Sequence, residues 1–167
     1  ERFPGTDVAI GHGFIIDGEG NVLRRFRSAP FTPRRFAYGA AVVMQQSTFF
    51  RAAAYKSTNG FNTANRTSWD AELLLDMGLN GAHVRIVDAD WSLFTIHTDS
   101  ISGSGRLNAE FERDCERYFR TVMGRDLRPF DRVLFPAARL LRWLGDPVGF
   151  AQRLRDRLFG PPRRSFT

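Results

Sequence analysis

Val8-Ala9-Ile10-Gly11-His12-Gly13-Phe14-Ile15-Ile16, then Asp17-Gly18-Glu19-Gly20-Asn21, then Val22-Leu23-Arg24-Arg25-Phe26 is the stretch on which the fold turns. The first run is β-branched and aromatic, the second is a cluster of turn formers, and the third resumes the apolar character. A β-hairpin over residues 8–26 is the reading this pattern predicts. Gly11-His12-Gly13 has no helix start behind it, so it is not a phosphate loop.

Working outward, Pro30 and Pro33 predict an irregular segment. Residues 42–50 read as one strand interrupted by Gln45-Gln46, and residues 51–57 as a short alanine-rich helix stopped at Asn59-Gly60. Thr67 followed by Asp70 resembles a capping box, and Leu73, Leu74 and Met77 supply the apolar stripe of a helix that Gly78 and Gly81 bracket at its exit. Residues 82–87 and 91–96 read as two strands around Asp88-Ala89-Asp90. After the polar loop 100–105 come three charged helices, over about 106–123, 130–144 and 147–159. Strands mixed with helices, followed by helices alone, predict an α/β layer with a helical extension.

The chain has 167 residues, 43% hydrophobic and 25% charged, which suits one globular domain and excludes a disordered or collagen-like chain. Cys115 is the sole cysteine, so no internal disulfide forms, and no His/Cys cluster has zinc spacing. No apolar run approaches the roughly 18 residues that cross a bilayer. The opening at Glu1, without Met, suggests a chain that begins inside a longer sequence. Net charge is +6, and its distribution is uneven. Residues 1–105 carry ten basic and ten acidic side chains, whereas residues 106–167 carry fourteen arginines against eight acids. All basic residues but Lys56 are arginine, a bias that genome composition explains as readily as function, and no nucleic-acid partner is expected.

Several residues have chemistry of their own. Asp70, at a helix start after a polar loop, suits a general base, and equally suits an ordinary acid stabilised by the helix dipole. His97 ends an apolar strand, where a histidine serves either as a metal ligand or as a satisfied strand-end residue. Asp88-Ala89-Asp90 spells a metal-type D-x-D, but acids between strands are common turn formers. Residues 100–104 could wrap a phosphate or simply link two elements. In the last two helices, arginines alternate with Leu140, Leu141, Trp143, Leu144, Phe150, Leu154 and Leu158. That pattern fits an interfacial anchor on an anionic membrane surface (residues 125–164), or a face that packs on the protein itself or on a second copy in a homo-oligomer.

Four segments then fall into a familiar order: IIDGEGNVLRRF (15–26), QQSTFFRAAAYKSTNGFN (45–62), SWDAELLLDMGLNG (68–81) and LFTIHTDSIS (93–102). Together they resemble the C-terminal half of a family 2 glycosyltransferase of GT-A fold, over about residues 5–105. The resemblance implies an α/β nucleotide-sugar glycosyltransferase domain of GT-A type, its acceptor-side part in residues 1–105, with basic amphipathic helices in 106–167. It implies inverting transfer of a sugar from a nucleotide-diphosphate donor to an acceptor hydroxyl on a sugar or lipid-linked acceptor, in polysaccharide or glycolipid synthesis. Asp70 would be the catalytic base, Trp69 a flat face for a sugar ring, and Gln45 and Gln46 amides for its hydroxyls. Glu72 would make a further polar contact, and Ser100 and Ser102 belong to the loop that closes over the diphosphate. His97 would complete the site of a divalent metal, Mg²⁺ or Mn²⁺, whose acidic ligands fall upstream of residue 1.

The sequence departs from the family pattern at three places. Thr95 stands where arginine commonly precedes the histidine, Thr58-Asn59-Gly60 replaces a Gly-Gly, and His12 stands where an acid often follows glycine. Because the donor-binding half lies outside these residues, the chain alone is expected not to turn over a nucleotide sugar. The location implied is cytoplasmic, peripheral at the inner face of the membrane. The competing expectation is a non-catalytic membrane-surface or protein-interaction module with a basic helical tail.

Overall fold

A computed structural model describes residues 3–96 and 107–160. One strand organises the sheet. β1 (Val8–Ile16) pairs antiparallel with β2 (Val22–Phe26) over its second half and antiparallel with β3 (Thr48–Phe50) over its first. β4 (Val84–Thr95) runs parallel to β1 along its whole length. A strand has two hydrogen-bonding edges, so β2 and β3 share one and β4 occupies the other. The hairpin expected from residues 8–26 is present, its turn held by Asp17 accepting from Glu19 N–H (2.9 Å) and Asn21 N–H (2.8 Å). The architecture is mixed α/β.

Around the sheet lie α1 (Pro33–Ala37), α2 (Ala52–Lys56), α3 (Trp69–Leu79), α4 (Asn108–Met123), α5 (Asp131–Leu144) and α6 (Pro147–Phe159). Val8 and Ile10 pack with Phe31, Ala41, Leu73, Leu74 and Met77 to make the main core. α4 packs on α1. Its Phe119 meets Tyr38 edge-on at 5.4 Å and stacks with Phe135 at 6.1 Å, which carries the apolar interior into α5. Beside them Asp131 is fully buried and accepts from Arg125 (2.7 and 2.9 Å), Tyr38 Oη (2.9 Å) and Arg128 N–H (2.8 Å). These hydrogen bonds, Arg125 foremost, outweigh burial and hold its carboxyl well below the usual range.

Four local expectations change. Pro33 does not keep its segment irregular, because it stands at the first position of α1 behind Thr32, whose hydroxyl accepts from Arg35 N–H at 3.1 Å. Residues 42–50 are not one strand. Buried Ser47 donates to His12 O (2.6 Å) and pairs with Ser92 Oγ (2.6 Å), which pulls Gln45–Ser47 into a 3₁₀ turn and leaves only three residues to pair. The N-cap of α3 is Ser68 and not Thr67, so the expected capping box does not form. Gly78 lies inside α3, where a Cβ would come within 2.9 Å of the Phe31 ring, and Gly81 alone ends the helix with φ +86°.

A fifth change is the largest. Residues 82–96 do not break into two strands at Asp88-Ala89-Asp90. β4 is continuous, and from Ile86 to Ser92 it advances six positions while β1 advances three, from Ile10 to Gly13. The surplus is absorbed as a bulge, because Asp88 and Asp90 face Arg25, at 3.7 and 2.8 Å, instead of turning the chain. The bulge drives Trp91 and Ser92 onto β1. A Cβ on Gly11 would lie 2.6 Å from the Trp91 ring, and one on Gly13 would lie 2.6 Å from Ser92 O. Gly11-His12-Gly13 is therefore the imprint of the bulge.

Gly13→Ala should cost about 1–3 kcal/mol in urea unfolding, since backbone must shift to admit the methyl group. Gly18→Ala, in open space, should stay within about 0.5 kcal/mol. Equal midpoints for the two variants would contradict this account of the glycine pair.

Candidate functional site

The first turn of α3 carries two carboxylates with opposite surroundings. Glu72 is 8% exposed. Its oxygens accept from Asn62 Nδ2 (3.1 and 3.2 Å), from Asn65 Nδ2 (2.6 Å) and from both terminal nitrogens of Arg117 on α4. Burial is the largest single influence on Glu72 and opposes ionisation. The hydrogen bonds from Arg117, Asn65 and Asn62 together prevail, so the carboxyl sits below its usual value.

The network extends further. Asn65 Oδ1 accepts from the N–H groups of Thr67 and Ser68, each at 3.0 Å, which shapes the loop into α3. Asn65 Nδ2 also reaches Tyr118 Oη (2.6 Å), and Tyr118 pairs with Ser68 Oγ (2.8 Å). Thr67 Oγ1 donates to Asp114, whose other oxygen takes a 3.0 Å bond from Arg117. The polar loop 62–68 is thus clamped between α3 and α4.

Asp70, one position past Trp69, escapes this clamp. It is half-buried, and among the described residues its carboxylate has no hydrogen-bond or ion-pair partner. It borders a cleft of about 100 Å³ together with Gln45, Trp69, Thr48, Phe50 and Phe61. The floor is apolar, built from Leu73, Leu74 and Met77. Along the rim runs an aromatic ribbon. Phe50 stacks on Tyr55 (6.0 Å), Tyr55 meets Phe61 (5.8 Å), and Phe61 meets Trp69 edge-on (5.1 Å). Trp69 keeps 43% of its surface exposed. An apolar floor, an exposed indole, an amide and an unpaired carboxylate can together hold a polyhydroxylated ring and take a proton from it.

Of the residues singled out from sequence, Gln45, Trp69 and Asp70 converge here. Gln46 is exposed on the 3₁₀ turn and does not line the cleft. Glu72 is close in sequence, but its carboxylate is consumed by the clamp and contributes to position rather than to contact. His97, Ser100 and Ser102 lie outside the described residues. Asp88 and Asp90 are engaged by arginines, and among the described residues no three His, Cys, Asp or Glu side chains group as metal ligands. The described residues alone do not make a metal site.

Sequence reasoning missed Asn62, Asn65, Asp114, Arg117 and Tyr118 as positioning residues, and Phe50, Tyr55 and Phe61 as the ribbon. The Asn62–Asn65–Glu72 spacing around a helix start was the only local signal. Arg117 lies 45 positions from its partner and offered none. No protein-family model matches the chain, and no curated protein matches it.

Removing the charge from Glu72 should loosen the clamp. Glu72→Gln should lose about 1–3 kcal/mol at pH 7, measured by urea unfolding. Because folding lowers the pKa of Glu72, its ionised form contributes stability above the usual carboxyl value of 4.5, and that contribution fades as pH falls through the lower folded value. The gap between variant and parent should therefore close in acid. A gap that stays constant from pH 7 to acid would contradict the assignment.

Proposed function

We propose that this chain carries the acceptor side of an inverting glycosyltransferase site of GT-A type, with Asp70 as general base. One observation supports the reading above the others. Gln45 from the 3₁₀ turn and the adjacent pair Trp69 and Asp70 from the start of α3 border one cleft, and among the described residues Asp70 has no partner while its neighbour Glu72 is fully bonded. In this reading a sugar ring of the acceptor lies against Trp69 and Phe61, and Gln45 bonds one of its hydroxyls. The reacting hydroxyl gives its proton to Asp70 as its oxygen attacks the anomeric carbon of the donor. The new C–O bond forms as the bond to the nucleoside diphosphate breaks on the opposite face, and the diphosphate leaves with the electron pair. In this reading the donor site, where a Mg²⁺ or Mn²⁺ ion would offset diphosphate charge, is supplied by residues outside those described.

In a form of the protein that holds the proposed donor site, Asp70→Asn should lower the rate of sugar transfer by about 10²–10⁴-fold, with donor KM little changed. Transfer within a fewfold of the parent would remove Asp70 from this role.

The membrane-surface reading has its own support. On α5 and α6, Val133, Leu144 and Val148 are 69%, 68% and 65% exposed, flanked by exposed Arg132, Arg139, Arg155 and Arg157. No helix among the described residues is long and apolar enough to cross a membrane. Apolar side chains interleaved with arginine suit the headgroup region of an anionic bilayer, where the helices lie flat. The chain should float with phosphatidylglycerol vesicles at low salt and be released at high salt, and the paired substitution Val133→Asp, Leu144→Asp should abolish flotation. Flotation unchanged in that variant would place the contact elsewhere.

A further inference from the structure

A second, larger cleft of about 830 Å³ opens between β2, the segment that follows it, and the α5–α6 corner. Its described lining includes five arginines against three aspartates. At its floor His12 is almost fully buried. His12 Nδ1 accepts from Ser28 N–H at 3.1 Å, so the ring proton sits on Nε2, which faces Asp88 Oδ1 at 3.2 Å. Burial, then the charges of Arg27 and Arg25, push the imidazole pKa down and keep the ring neutral.

The cations here are incompletely satisfied. Arg27 and Arg35 each bury Nε with no hydrogen-bond acceptor among the described residues. For Arg27 the nearest carboxylate at that nitrogen is Asp146, at 3.5 Å and outside hydrogen-bond geometry. Buried donors without acceptors are rare in folded proteins and mark a place where an acceptor belongs.

One anion already reaches this point. Asp88 is 77% exposed, yet it is the common neighbour of His12 (3.2 Å), Arg27 (3.5 Å) and Arg25 (3.7 Å). All three contacts are longer than a good charge-assisted hydrogen bond. A solvated carboxylate held at long range by three donors is displaceable. Planar guanidinium groups around a shared point match the several oxygens of a phosphate better than the two of one carboxylate.

We propose that this cleft binds a phosphate-bearing anion on Arg25, Arg27, Arg35 and His12, and that Asp88 is the internal counter-anion it displaces. The inference is independent of sugar transfer at Asp70, which lies on a different cleft.

The test is calorimetric titration at fixed ionic strength with two probes, inorganic pyrophosphate and a short-chain phosphatidic acid kept below its micelle concentration. Arg27→Gln should weaken binding by about tenfold or more, the loss of one charge-assisted bond. Asp88→Asn should strengthen it severalfold by removing the competitor. Asp126→Asn, the same charge change outside the cleft, should leave affinity unchanged, which separates a site from general attraction. Arg27→Lys, which keeps the charge but not the fork, should fold and still bind less tightly than the parent. Tight binding of pyrophosphate assigns the site to a soluble phosphate, and binding of phosphatidic acid alone assigns it to a lipid headgroup. Failure of both probes to bind, or equal effects of Asp88→Asn and Asp126→Asn, would overturn the proposal.

Discussion

The buried carboxylate of Glu72 is the constraint on which the candidate site depends. A charge taken out of water on a helix is costly, and it is retained only where donors surround it. Here the donors come from two distant parts of the chain: Asn62 and Asn65 from the loop, and Arg117 from α4. Satisfying Glu72 therefore fixes the loop against α3, α3 against α4, and the direction in which the first turn of α3 faces. Two residues earlier, Asp70 borders the small cleft and has no partner among the described residues. A bonded carboxylate that fixes the helix start leaves its neighbour's carboxylate open to a ligand, and the proposed role of Asp70 as a base rests on that contrast.

The sheet obeys a second constraint, which is that β1 serves every other strand. With β4 along one edge and β2 and β3 sharing the other, β1 cannot shift register without disturbing all three. The bulge in β4 adds to this. It needs glycine at positions 11 and 13, and it carries Asp88 and Asp90 to Arg25 on β2 and Asp88 to Arg27 just after it. The feature that breaks the regular ladder is the same one that builds the charged cleft at the α5–α6 corner.

Much of this was legible in the amino-acid order. The hairpin over 8–26, the apolar stripe of α3 and the three C-terminal helices follow from turn residues and periodicity, which are local. What was misread depends on distant partners. Ser47 looks like a strand residue until its hydroxyl is seen to bond His12 and Ser92. Pro33 looks like a breaker until Thr32 is seen as the cap in front of it. Asp88-Ala89-Asp90 looks like a turn because nothing nearby shows that Arg25, 65 positions before Asp90, will hold it in a strand. For the site, Asp70 was singled out by its place at a helix start, and Trp69 and Gln45 by resemblance; that Gln45 meets the Trp69–Asp70 pair is a property of the fold. Glu72 was chosen for a polar contact, and its carboxylate is taken up by Arg117, which is 45 residues away and invisible to any local pattern.

The most direct measurement is chemical rescue of the missing base. In a form of the protein that holds the proposed donor site, Asp70→Gly leaves a space beside Trp69 into which formate can diffuse. Sugar transfer by that variant should be nearly abolished and should rise with formate concentration, while Trp69→Ala, which keeps its base, should gain nothing from formate. Parental transfer by Asp70→Gly in the absence of any added carboxylate would contradict the account.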